Sequence, residues 1–286
     1  MPARPPDDDL PLPDGISDAR APGNPDRSDF TAGDAAPAEE VSSLELMLER
    51  FDRGRRGDEG YEPVTLVTNQ GDIETYYYAP ARPFGGAPPP DVPPRTPAAA
   101  PGAVFVGGVG EGFDSPVSGR LYPGLCRDLS ARGVGCLRVR YRRPGDFEQC
   151  VLDVLTALAF LDEQDVAPVA LFGHSFGGAV AIHAALLSPV VAACAPLATM
   201  PYGADVAEHL GPRCSILIAH GAADDVVPVR DARELYEIAS EPKRLLVKEG
   251  VGHALDEWAD ELPNLLRDWS LGELRRAWAA GSPPAG

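Results

Sequence analysis

One serine stands where a side-chain hydroxyl could act as a nucleophile. Gly173-His174-Ser175-Phe176-Gly177 fits the pattern G-x-S-x-G, in which the serine occupies a strained strand-to-helix turn. Its glycine neighbours let the two elements approach closely. Residues 169–172 (VALF) precede it as a short apolar run, and residues 179–187 (AVAIHAALL) follow as a strong helix former. A serine hydroxyl needs a base to take its proton, and a histidine base needs a carboxylate to hold its tautomer and stabilise the imidazolium. Both are available downstream. An apolar run at 215–219 leads into His220-Gly221-Ala222-Ala223-Asp224-Asp225, and a second at 245–247 leads into Gly250-Val251-Gly252-His253. Serine, acid and histidine all fall just beyond the ends of apolar runs. If those runs are parallel strands, the three groups converge at one edge of a sheet.

The elements that must position them are legible from pattern. Residues 62–68 and 73–78 are β-rich runs split by Asn69-Gln70-Gly71-Asp72, which predicts a hairpin. Tyr76, Tyr77 and Tyr78 within it read as packing rather than as a recognition patch. From residue 103 the chain alternates: strands at 103–106, 135–139, 169–172, 190–196, 216–219 and 244–247, with helical segments between them. Phe147, Cys150, Val151, Val154, Leu158 and Leu161 form the clearest helical stripe. Leu44, Met47, Leu48 and Phe51 also fall at helical spacing and predict a short helix. Residues from 255 onward read as helical, interrupted at Pro263. Such alternation predicts an α/β fold: a mostly parallel eight-stranded sheet with helices on both faces.

Composition bounds the rest. The 286 residues suit one large domain, here placed at 41–275. Residues 1–40 form an acidic, proline-rich tail that buries too little apolar surface to order itself, and 276–286 a second tail. Residues 80–101 read as a proline-rich loop. The net charge of −18 argues against nucleic acid or an anionic membrane as partner, and no apolar run is long enough for a membrane span. The five cysteines lack any C-x-x-C pair and lie in or beside apolar segments, which suits buried thiols in a reducing cytoplasm. No histidine or carboxylate cluster has metal-ligand spacing, so neither metal nor cofactor is expected. The remaining histidines have quieter roles, His174 and His220 in ordering their turns.

The GHSFGG turn, the HGAADDVVP segment and the GVGH segment, in that order, resemble the α/β-hydrolase family. Within it the likeness is to the dienelactone-hydrolase-like and prolyl-oligopeptidase-like serine hydrolases, over about residues 62–269. The resemblance implies Ser175 as nucleophile, Asp224 as acid and His253 as base, with Asp225 the rival acid. It also implies an oxyanion hole from the amide of Phe176 and that of Val109 or a neighbouring residue. The latter belongs to Gly107-Gly108-Val109-Gly110, where the family often has His-Gly-x; this chain lacks that histidine. The implied activity is hydrolysis of an ester or thioester of a small substrate through an acyl-enzyme. A peptidase or acyltransferase using the same triad, or a silent binding module on the same fold, are the alternatives. Lids of the family commonly enter after the strand that ends near Pro196. The 17 residues from Leu197 to Arg213 leave no room for a large cap domain. Finally, Arg138, Arg140, Arg142 and Arg143 cluster at a strand's carboxyl end in an acidic chain, which places Arg142 or Arg143 as candidate contacts for an anionic substrate.

Overall fold

The hairpin forms from its alternation. In the computed structural model, which describes residues 16–18, 46–85, 100–110 and 113–280, β3 (Glu62–Thr68) and β4 (Gly71–Tyr78) pair antiparallel in unbroken register, Glu62 opposite Tyr77 and Thr68 opposite Gly71. Thr68 closes the turn: its hydroxyl accepts the Gln70 amide at 3.1 Å and donates to the Gly71 carbonyl at 2.5 Å. Six strands beyond it are mutually parallel: β5 (Ala100–Val106), β6 (Gly135–Val139), β7 (Val166–His174), β8 (Val191–Leu197), β9 (Ser215–Gly221) and β10 (Lys243–Lys248). They read as near-continuous apolar runs because helices cover both of their faces. On one face lie α1 (Leu121–Ser130) and α5 (Leu262–Ala279). On the other lie α2 (Phe147–Glu163), α3 (Phe176–Leu187) and α4 (Val229–Ile238).

The eight strands that the pattern predicts are β3 to β10, in the order β10-β9-β8-β7-β5-β6-β4-β3. The sheet is larger than that. At one end β2 (Leu48–Arg53) adds antiparallel to β3; at the other β1 (Ile16–Asp18) pairs antiparallel with β10. No separate cap domain stands between β8 and β9 among the described residues, only loops and a 3-10 turn at Ala204–His209.

β2 corrects the predicted helix around residues 44–51. The helical spacing of Leu48 and Phe51 has another origin. Leu48 pairs with Thr68 but Arg50 with Val67, so Glu49 is an extra residue, a β-bulge. The bulge turns positions i and i+3 onto one face of the strand, where a regular strand would put them on opposite faces. Pro263 likewise begins α5, at a position that needs no amide donor, and does not break it. That helix continues to Ala279, and Trp278 packs edge-on against Phe84, past the boundary drawn at 275. The predicted disorder of the N-terminal tail falls, apart from residues 16–18, outside the described residues, as do most of the proline-rich loop and residues 281–286.

Candidate active site

At the end of β7 the backbone enters α3 through Ser175, whose φ of 55° and ψ of −119° are unusual for any residue with a side chain. This strain persists because glycines leave no alternative occupant for the space. A Cβ on Gly173 would run into the Gly177 carbonyl, and one on Gly177 into the Gly107 carbonyl. The Ser175 amide is anchored on the Leu197 carbonyl of β8 at 2.9 Å. The Phe176 amide is the first of α3, and the N-terminal amides of a helix have no intrahelical partner.

Asp224 and His253 meet. His253 Nδ1 donates to Asp224 Oδ2 at 2.8 Å, and the acid's side chain is fully buried. The other oxygen, Oδ1, accepts the amides of Val226 (2.9 Å) and Val227 (2.8 Å). His220, also fully buried, brings Nε2 to 3.2 Å from Oδ2 while donating to the Val227 carbonyl at 2.9 Å. Burial alone would push the Asp224 carboxyl up, but the Val227 amide, His253 and the Val226 amide outweigh it and hold it below its ordinary value. The neighbouring Asp225 is exposed and makes no such contact among the described hydrogen bonds. Burial depresses His220, which stays neutral with its proton on Nε2; its Nδ1 has no partner among the described residues. His174, depressed for the same reason, donates from Nε2 to the His253 carbonyl at 3.0 Å. The residue before the serine thus fixes the main chain of the residue predicted as base. The roles expected for His174 and His220 in ordering turns match these bonds.

On the loop after β5, the Gly108 amide donates to Asp114 Oδ2 at 2.7 Å. Nothing in the motifs or spacing singles out Asp114. Val109, the residue predicted to supply the second oxyanion donor, follows directly and is exposed. Val109, Tyr202 and Val226, each beyond the carboxyl end of a strand, are exposed apolar residues on this rim of the sheet, at 63%, 55% and 64%. Phe147 lies edge-on to Phe176, His183 and Tyr202.

Arg142 does not reach this rim. Its guanidinium turns inward to Asp153 at 2.5 Å, to Gln149 Oε1 at 3.0 Å and to the Gln70 carbonyl at 3.2 Å, while its amide binds the same carboxylate. Both side chains of the pair are buried, 4% and 0% exposed. The expectation of a substrate-contacting Arg142 is corrected: buried Asp153 on α2 takes up its charge. Arg138 is also internal, donating to the Phe113 carbonyl, and Arg140 pairs with Glu74 on the sheet's margin. Arg143 alone of the four is exposed without an ion pair among those described. The five cysteines are all free and buried. Burial pushes the thiols of Cys150 and Cys214 up to about 12 and those of Cys136 and Cys194 well above the usual range, so they are poor nucleophiles. No metal-holding cluster occurs among the described residues.

A sheet of this order, with a serine on the tight turn between its central strand and a helix, defines a class, and sequence comparison agrees. The chain belongs to the alpha/beta hydrolase family, whose profile matches residues 103–285. Among solved structures it is similar to Est1E from Butyrivibrio proteoclasticus (TM-score 0.61, 15% identity, covering 74% of this chain and 99% of that one). It is as similar to a dienelactone hydrolase from Anabaena variabilis (TM-score 0.61, 17% identity, 75% and 98% covered). An acetyl xylan esterase from Paenibacillus sp. R4 follows at TM-score 0.59 and 16% identity, with 77% and 88% covered. At such identities the likeness is one of fold. A curated relative, the uncharacterized protein YfhR of Salmonella typhi, is 35% identical over 65 residues, 23% of this chain and 22% of its own length.

Proposed function

We propose that the protein is a serine hydrolase that cleaves an ester or thioester of a small substrate through an acyl-enzyme. The observation that carries this reading is the Asp224–His253 contact at 2.8 Å, tied through the His174–His253 bond to the turn of a serine held at φ 55°. His253 Nδ1–H is committed to the carboxylate, so Nε2 is the lone-pair nitrogen and the base. It takes the Ser175 proton as Oγ attacks the acyl carbon, and returns it to the leaving alcohol or thiol as the tetrahedral intermediate collapses. Water, deprotonated in turn by Nε2, releases the acid and restores the serine. Asp224 remains ionised throughout, which its three donors and depressed carboxyl favour. The oxyanion is assigned to the amides of Phe176 and Val109. Gly108 is unsuited to this role, its amide being taken by Asp114.

Structural neighbours that are esterases support the choice of ester hydrolysis within the family. The apolar rim of Val109, Tyr202 and Val226 favours a neutral acyl or leaving group, and Arg142 has no part in binding. The test is labelling with a fluorophosphonate probe, followed by turnover of a series of p-nitrophenyl esters from acetate upward. Labelling that survives Ser175→Ala, or its absence in the wild type alongside no turnover of any ester, would overturn the reading.

A further inference from the structure

The oxyanion loop poses a problem of its own. Gly107, Gly108 and Gly110 give it three residues with wide backbone freedom, and glycine loses more conformational entropy on ordering than any other residue. Unclamped, such a loop would spread its amides over many directions, and a donor is useful to a transition state only when it is already aimed. Two contacts fix Gly107: its carbonyl accepts the Tyr141 hydroxyl at 3.3 Å and abuts the bare Cα of Gly177. The other end of the same peptide unit is held by the 2.7 Å bond from the Gly108 amide to Asp114 Oδ2, so that between this anchored plane and the Val109 amide only the Gly108 dihedrals remain.

Asp114 fills the space beside the loop. A Cβ on Gly107 would collide with its Oδ1. The point where a Cβ on Gly108 would stand is 3.2 Å from Asp114 Oδ2 and 3.9 Å from the Ser175 Cβ, so the carboxylate is two contacts from the nucleophile. The segment that carries it is itself held from below. Phe113 stacks face to face on Tyr76 of β4, with ring centroids 4.1 Å apart and planes 4° apart. Arg138 of β6 donates to the Phe113 carbonyl, with its guanidinium 5.6 Å from the Phe113 ring and 5.8 Å from the Tyr76 ring. The chain of support therefore runs from two sheet strands through Phe113 to the carboxylate, and from there to the loop.

We propose that Asp114 is a positioning residue of the oxyanion hole: its carboxylate takes the Gly108 amide and thereby turns the next amide, that of Val109, toward the reacting carbonyl. This deepens the proposed function and rests on it. The role needs an acceptor at that point in space and not a charge, which separates it from an electrostatic effect. Asparagine keeps an acceptor oxygen there; alanine removes it; glutamate keeps both acceptor and charge but displaces them by a methylene.

The experiment compares wild type, Asp114→Asn, Asp114→Ala and Asp114→Glu on a neutral short-chain p-nitrophenyl ester, each normalised by fluorophosphonate titration of active sites. Removing an oxyanion donor outright costs roughly 10²- to 10³-fold; losing only its positioning should cost about 10- to 100-fold. That loss is expected in kcat for Asp114→Ala and Asp114→Glu, with KM within about twofold and Asp114→Asn within about threefold of wild type. The Ki of a trifluoromethyl ketone, which places an oxyanion in the same hole, should rise by the factor by which kcat/KM falls. Thermal unfolding separates this from damage to the fold, and the exposed Asp114→Glu change supplies the comparison should the alanine variant fold poorly. Wild-type kcat in the alanine and glutamate variants, an asparagine variant as poor as alanine, or an unchanged Ki would each overturn the assignment while leaving the serine hydrolase intact. A wild type that neither labels nor hydrolyses would overturn both.

Discussion

The turn that carries Asp224 and the loop that carries Val109 lie at the same sheet edge as Ser175 and are built on opposite plans. The acid turn is saturated: a buried carboxylate with a close partner on every side, two of them main-chain amides within three residues of it. The loop proposed to hold the oxyanion is sparse and glycine-rich, exposed at Val109 and Gly110, and held by two side chains from outside it, those of Tyr141 and Asp114. A buried charge must be fully satisfied or it neutralises, so the acid's surroundings admit little variation. A loop that must leave space for a substrate cannot be packed that way, and its order comes from anchors outside it.

The largest effect tests the point common to both regions. Ser175→Ala should lower kcat by roughly 10⁴- to 10⁶-fold with unfolding unchanged, read by ester turnover and calorimetry. Next comes the saturated side. Asp224→Asn should cost about 10⁴-fold, because an amide in that place favours the wrong tautomer of His253; Asp225→Asn should stay within about threefold. The reverse pattern in the same assay would hand the acid's role to Asp225 and remove the contrast. Gly177→Ala strikes where the serine turn meets the Val109 loop, since its new methyl meets the Gly107 carbonyl. It should destabilise by about 1–3 kcal/mol and lower kcat at least tenfold. A variant as stable as wild type in urea would mean that the loop yields more easily than its contacts imply.

The smallest effect is on stability against pH. Burial keeps His220 and His174 neutral when folded, with pKa values below the unfolded one near 6.5. The unfolded chain therefore binds more protons as pH falls below about 6.5, and stability is lost there at up to about 1.4 kcal/mol per pH unit for each group. The Asp224 carboxyl, also depressed, contributes only at lower pH, its share being lost below about 4. Urea midpoints between pH 8 and 5 should show the histidine slope, and His220→Asn should flatten it. An unchanged slope in that variant would place the proton uptake elsewhere.

How far these regions could be read in advance follows from the same contrast. Asp224, His253 and Ser175 sit in contiguous motifs at strand ends, and period and spacing are enough to find the strands that carry them to one edge. Asp114 is invisible to such reading because its partner, Gly108, is reached through a turn and not through a repeat, and its support comes from Tyr76 and Arg138 on other strands. Arg142 misled for a related reason. It does stand just past a strand's carboxyl end, but the direction of its side chain depends on Asp153, which lies further along α2 than the nearer acids Asp146 and Glu148. The helix assigned to residues 44–51 failed on a single inserted residue, since one β-bulge gives a strand the spacing of a helix.

The burial of all five thiols has a use beyond explaining why none competes with the serine. The chain is in effect a blank background for maleimide chemistry at neutral pH. A cysteine placed at Val226, on the exposed rim beside the acid, would be the one fast-reacting sulfur among the described residues. A dye attached there would report on whatever binds at this edge of the sheet without any native thiol being replaced.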